Sequence, residues 1–177
     1  MQDRDQMAKQ IFEVSFREGD FKLRSGQRSP FYFDKYQFES NPQLLGQIAR
    51  GWAQLGLPQF DVLAGLELGG VPLATALAIQ IQKPMAFVRK KPKEYGTCLI
   101  AEGASVQGKK VLIVEDVITT GGQVFESVAE LRKAGAEVSH VLCVINRGTN
   151  THELFKEQGL TLTALFTMDE LMKFKPA

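Results

Sequence analysis

Apolar and polar positions along the chain switch repeatedly between a helical period and short, nearly continuous apolar runs. Over residues 5–18, Met7, Ile11, Phe12 and Val14 share one stripe with acids and Lys9 opposite, which predicts an amphipathic helix broken at Gly19. Residues 21–36, FKLRSGQRSPFYFDKY, place two runs of strand-forming residues around Ser25, Gly26 and Pro30 and predict an aromatic-rich hairpin. Asn41 and Pro42 make an N-cap and first-turn pair for a helix carrying Leu44, Leu45, Ile48, Trp52 and Leu55 and ending at Gly56.

Beyond Gly56 the pattern alternates. Residues 61–65, 85–88, 110–114 and 138–145 read as strands, and 71–81 and 121–134 as helices, the second with Val124, Val128 and Leu131 inward. A further helix and strand follow. Parallel neighbours need a crossover, and helices are the usual crossovers, so the chain reads as α/β: a doubly wound, mostly parallel sheet with helices on both faces. Residues 90–108 lack a period, contain Pro92, Gly96, Gly103 and Gly108, and read as one long lysine-rich loop of the kind that forms lids or binding sites.

Composition narrows the class. A chain of 177 residues, 44% hydrophobic and 23% charged, suits one folded domain rather than two catalytic ones. Lys and Arg total 21 against 20 acids, so a net charge of +1 gives no global reason to expect nucleic acid. The most apolar stretch, 63–81, is interrupted by Glu67, Gly69, Gly70 and Pro72, which argues against a membrane span. The first ten residues are polar, without the apolar segment of a secretory signal, and imply a cytoplasmic protein. Cys98 and Cys143 fit free thiols better than a disulfide or a metal pair.

The chemistry concentrates in residues 111–122, VLIVEDVITTGG: an apolar strand ending in Glu115 and Asp116, then Thr119, Thr120, Gly121 and Gly122 opening a helix. Ligands of open α/β sheets gather at the carboxyl ends of strands, and a helix N-terminus offers free N–H groups to phosphate, so 119–123 form a candidate cradle. Adjacent carboxylates repel; a turn or cap would use them separately, whereas vicinal hydroxyls with a divalent cation would use both. Arg89, Lys90, Lys91 and Lys93 crowd together where the strand 85–88 runs into the long loop, either as a solvated charge run or as a local anion site. Arg147 follows the strand 138–145 and should emerge at the same edge as Asp116, where its fork suits a planar acid.

VLIVEDVITTGG resembles the phosphoribosyl-pyrophosphate (PRPP) signature of type I phosphoribosyltransferases. The resemblance implies that Glu115 and Asp116 hold the ribose hydroxyls, while Val117, Ile118, Thr119, Thr120, Gly121, Gly122 and Gln123 form the 5-phosphate loop. Gly122 stands where many members carry a hydroxyl residue. Residues 88–103, VRKKPKEYGTCLIAEG, resemble the catalytic loop of orotate phosphoribosyltransferases: Lys93, Glu94, Tyr95 and Gly96 match it, with Tyr95 where histidine is frequent. Arg89 and Lys90 match the two basic residues preceding that loop, which in the family reaches the partner's active site and so implies a homodimer.

Residues 23–36 are similar to the family's N-terminal hood, with Arg24 at a PRPP-contacting position and Tyr32 and Phe33 at the aromatic pair bordering orotate. Thr119 and Arg147 match orotate-contacting positions. Residues 65–72, GLELGGVP, resemble the pyrophosphate loop, with Leu68 and Gly69 where many relatives have an aromatic and a lysine, so that backbone amides or Glu67 would have to serve. The implied protein is a single domain over 1–177, its hood drawn from about residues 1–40 plus C-terminal residues, and monofunctional for want of a barrel-sized extension. The implied activity transfers the phosphoribosyl group from PRPP to orotate in pyrimidine (UMP) biosynthesis, with Mg2+ held mainly by PRPP, pyrophosphate and water near Asp116. Two alternatives stay open: a different base as acceptor, and a non-catalytic PRPP-binding regulator.

Overall fold

The opening stripe folds as α1 (Gln2–Ser15), with Met7, Ile11 and Phe12 buried. In the computed structural model, which describes residues 2–22, 26–90 and 99–176, this helix stops at Ser15 rather than running on to Glu18. Phe16–Lys22 is instead strand β1, antiparallel to β2 (Arg28–Phe33), so the predicted hairpin begins earlier than its pattern suggests. The reason is tertiary: the Phe16 ring stacks on Phe12 at 4.6 Å and on Phe31 across the ladder at 5.7 Å. A helical stripe cannot reveal such cross-strand contacts.

A short helix α2 (Tyr36–Glu39) leads to α3 (Pro42–Ala53). The Asn41 side chain accepts from the N–H groups of Gln43 and Leu44 at 3.0 and 3.1 Å, and Pro42 follows it, as the sequence implied. Leu44, Ile48, Ala49 and Trp52 are buried, whereas Leu55 lies beyond the helix and is 50% exposed, so it leaves the predicted stripe.

The six-stranded sheet has the order β5-β4-β3-β6-β7-β8, with β3 (Val62–Leu66), β4 (Met85–Val88), β5 (Ala101–Gly103), β6 (Lys110–Ile118), β7 (Glu137–Asn146) and β8 (Thr161–Thr167). All neighbours are parallel except β5, which pairs antiparallel with β4 inside the segment read as a loop. Three residues are too few to show a period. One connection, through α4 (Gly70–Ile81), carries the chain from β3 outward to β4. Connections through α5 (Gly122–Lys133) and α6 (Thr151–Glu157) carry it the other way, from β6 to β7 and β8. The direction of winding therefore changes between β3 and β6, where the strand ends open a crevice.

Both faces of the sheet are covered. On one, Leu63, Leu112 and Val114 pack with Leu73 and Leu77 of α4, Ile48 and Trp52 of α3, and Ile11 of α1. Phe33 and Phe38 join that same cluster, so the hairpin region shares a core with the sheet. On the other face Val111 and Ile113 meet Val124 and Val128 of α5 and Phe155 of α6. A final helix, α7 (Met168–Met172), starts at a capping box between Thr167 and Glu170. Among the described residues no helix is long and apolar enough to cross a membrane.

The Asn41 cap supplies a stability prediction. Asn41→Ala should cost about 1 kcal/mol by stranding two N–H groups, seen as a lower urea midpoint with an unchanged slope.

Candidate active site

Strand β6 does not end at the acidic pair. Its ladder with β7 continues through Glu115↔Cys143, Val117↔Ile145 and Ile118↔Asn146, so both acids sit inside a strand. The chain leaves the sheet at Thr119 and Thr120, both exposed, and turns into α5 through Gly121 at φ +82°. Only glycine suits that turn: the angle disfavours any side chain, and a Cβ would stand 2.5 Å from Phe155 and 2.9 Å from Phe125. Gly121 also supplies no side-chain cap, which leaves the N–H groups opening α5 to an external acceptor. Residues 119–123 thus have the geometry expected of an anion cradle.

Beside this turn the end of β7 is tied down. Buried Asn146 accepts through Oδ1 from the Gly148 N–H at 3.1 Å and from Thr151 Oγ1 at 2.9 Å. Thr151 Oγ1 also lies 3.4 Å from the Thr119 carbonyl, and the Arg147 N–H donates to the Ile118 carbonyl at 2.7 Å. These bonds bring exposed Arg147 next to Thr119, at the carboxyl edge that the pattern gave it together with Asp116. Sequence reasoning missed Asn146 and Thr151; the only signal was an asparagine closing an apolar strand.

On the opposite flank the loop after β3 meets the end of β4. Glu67 donates its N–H to the Val88 carbonyl at 2.9 Å and accepts the Lys90 N–H on Oε2 at 3.2 Å. Glu67 therefore ties two loops together while its side chain stays exposed. Arg89 donates its N–H to the Ile100 carbonyl at 2.9 Å, and the exposed Lys90 follows it at the crevice edge. Arg24, Lys93 and Tyr95 lie outside the described residues.

Asp116 is wholly buried, and its partners come from the N-terminal region. Lys35 Nζ lies 2.5 Å from Asp116 Oδ2, Oδ1 accepts the Val117 N–H, and the Asp116 N–H donates to Glu115 Oε1 at 3.1 Å. Glu39, also buried, faces the same cluster with Oε1 lacking a hydrogen-bond partner. Neither Lys35 nor Glu39 stood out in the sequence; a cation four residues before an acid was the sole hint.

The cluster separates the acids by protonation. Burial, and then the charge of Asp116, push Glu39 up to about 8 and Glu115 up to about 9. For Asp116 burial works the other way, but hydrogen bonding with Glu115 and the Lys35 ammonium outweigh it and hold the carboxyl below its usual range. Burial likewise opposes the charge on Lys35, and Asp116 more than restores it. Cys143, a free and buried thiol, is pushed up by burial and by the neighbouring acids, so it is inert here.

The aromatic pair divides. Successive strand residues face opposite ways, and Phe33 is in the core whereas Tyr32 is 42% exposed. Of the two rings expected to border orotate, Tyr32 carries most of the exposed surface and Phe33 lies against the core. A further exposed ring, Tyr36, lies 5.4 Å from Lys35 Nζ.

Glu39 generates a pH prediction. The folded chain keeps a proton that an unfolded glutamate releases, so this contribution is complete below the unfolded value and is lost as pH rises through about 8. Glu39→Gln mimics the neutral acid, and its melting temperature relative to wild type should climb from about pH 5 to about pH 9. A constant gap in thermal melts followed by circular dichroism would contradict this.

The sequence profile of the phosphoribosyl transferase domain matches residues 36–158. The orotate phosphoribosyltransferase of Nocardioides sp. is 47% identical over 93% of this chain and 92% of its own length. That of Methanopyrus kandleri is 39% identical over 99% and 95%. Among solved structures, Mycobacterium tuberculosis orotate phosphoribosyltransferase in complex with Fe(III) dicitrate superposes with a TM-score of 0.84 at 30% identity, covering 96% of this chain and 98% of that one. Its complex with PRPP gives a TM-score of 0.80 at 27% identity, with the same coverage. Likeness of this extent, joined to a parallel sheet that places an acidic pair and an uncapped helix start at its switch point, means that the chain belongs to the orotate phosphoribosyltransferase family.

Proposed function

We propose that the protein transfers the 5-phosphoribosyl group of PRPP to N1 of orotate, releasing pyrophosphate and forming orotidine 5'-monophosphate in pyrimidine biosynthesis. One observation carries this reading: a buried carboxylate, an uncapped helix start and the backbone-tethered Arg147 stand together toward the carboxyl ends of β6 and β7, beside the switch point between β3 and β6. They are complementary to a sugar diol, a phosphate and a planar acid respectively.

In this mechanism Glu115 and Asp116 accept the ribose hydroxyls, and the amides of 119–123 take the 5-phosphate. Arg24, Arg89, Lys90, Lys93 and Tyr95 surround the pyrophosphate, on which negative charge grows as its bond to C1 breaks. Arg147, Thr119 and the exposed face of Tyr32 hold orotate so that N1 meets C1 in line, which makes positioning the main contribution. The loop carrying Lys93 closes over the site and excludes water.

The donors also suit Mg2+. Among the described residues there is no group of three or more His, Cys, Asp or Glu able to cage a metal, and one oxygen of Asp116 is already committed to Lys35. Hard carboxylate oxygen beside a diphosphate fits an ion carried mainly by substrate and water near Asp116. Bound there, Mg2+ would compensate the charge of the leaving pyrophosphate. The working form in this reading is a cytoplasmic homodimer in which Lys93 of each subunit serves its neighbour's site.

Orotate absorbance in the ultraviolet tests the whole scheme. With PRPP and Mg2+ the wild-type protein should consume orotate and not purine bases. Lys93→Ala should lower kcat about 100-fold, and Arg147→Ala should raise the KM for orotate about 10-fold. Consumption of another base instead would overturn the acceptor, and PRPP binding without turnover would overturn catalysis. Mixing Lys93→Ala with Asp116→Asn, each nearly inactive alone, should restore activity if sites are shared; no recovery after subunit exchange would refute sharing.

A further inference from the structure

Lys35 is a cation within the crevice that none of the roles above uses. It follows β2, its side chain is 33% exposed, and its ammonium meets an Asp116 side chain that is 1% exposed. An ammonium has three N–H donors, and Asp116 Oδ2 engages one of them at 2.5 Å. The side chain therefore runs between solvent and the buried acid.

The loop after β3 lies over the same pair. A Cβ on Gly69 would overlap Asp116 Oδ2 outright and stand 2.6 Å from Glu39 Oε1. Position 69 can bear no side chain while Asp116 and Glu39 keep these places. The loop residues Glu67, Leu68, Gly69 and Gly70 include no cation, and their one charged side chain is an acid bound to the Lys90 amide. A diphosphate drawn against this loop would meet backbone N–H groups and then Lys35.

We propose that Lys35 is a substrate-contacting cation of this site, holding Asp116 with one N–H while offering the others to the pyrophosphate oxygens of PRPP where the loop after β3 has no side chain to give. The inference rests on the proposed transferase reading and assigns it a residue. One side chain then couples the orientation of the diol-binding carboxylate to capture of the leaving group.

Titration calorimetry with PRPP, pyrophosphate and ribose 5-phosphate, each with Mg2+, on wild type, Lys35→Met and Lys35→Arg tests this directly. Wild type must bind PRPP and turn over orotate; its failure would sink the transferase reading itself and needs no variant to be seen. Lys35→Met should weaken PRPP and pyrophosphate about 10- to 100-fold, whereas ribose 5-phosphate, which feels only the loss of the partner of Asp116, should weaken several-fold less. Lys35→Arg, which keeps the charge, should recover part of the loss. Unchanged pyrophosphate affinity in Lys35→Met would overturn the proposal, as would an equal loss for ribose 5-phosphate, since Lys35 would then act through Asp116 alone. Should Lys35→Met fail to fold, Lys35→Gln, which retains a donor to Asp116, carries the same comparison.

Discussion

The burial of one carboxylate inside the central strand governs much of this molecule. A charge with no solvent contact is strongly unfavourable unless it is paired and hydrogen-bonded. Asp116 meets that demand with the Val117 N–H and the Lys35 ammonium, and Lys35 lies 81 residues earlier in the sequence. The site is therefore complete only when the N-terminal region is docked. Apolar packing enforces the docking: Phe33 and Phe38, on either side of Lys35, enter the same core as Leu112 and Val114 of β6. Electrostatic pairing and hydrophobic burial select one arrangement, which is the consistency expected of a specified fold.

Rigidity at the crevice comes from hydrogen bonds both within and between loops. Asn146 braces the turn after β7 internally, the Arg147 N–H ties that turn to the end of β6, and both ends of Glu67 join the turns after β3 and β4. Loops that bind ligands are ordinarily the least stable parts of a domain. Cross-linking them in pairs leaves the exposed groups, Thr119, Arg147 and Lys90, projecting from braced backbone.

The repeating architecture was legible in the sequence because helices and buried strands impose different apolar periods, and the Asn41 cap, the helix start at Gly121 and the strand before Arg147 all lie where those periods put them. What escaped was set by contacts distant in sequence. The Phe16 stack converts the end of a helical stripe into strand, and a three-residue edge strand hides in an aperiodic segment. At the site, the motif marked Glu115 and Asp116 but not their neighbours, since nothing local says that Lys35 and Glu39 reach them. A linear motif likewise does not tell Tyr32 from Phe33, whereas the alternation of strand faces turns Phe33 to the core and leaves Tyr32 exposed.

The near-neutral net charge of +1 takes on a different meaning once the fold is known. The polar groups are segregated along the crevice: uncapped amides at the start of α5, the charged Asp116 beside the neutral Glu115 on β6, and then basic residues at the end of β4 beyond the β3 loop. Strands in a sheet lie about 4.8 Å apart, so β6 and β4, with β3 between them, are separated by roughly 10 Å. That is the scale of a pentose phosphorylated at both ends, with its hydroxyls in the middle. In the proposed reading, overall charge is balanced because each part of one ligand meets its own complement, anion against amide or cation and diol against acid. Discrimination then rests on the order of these groups across three strands, which no surplus of either charge could supply.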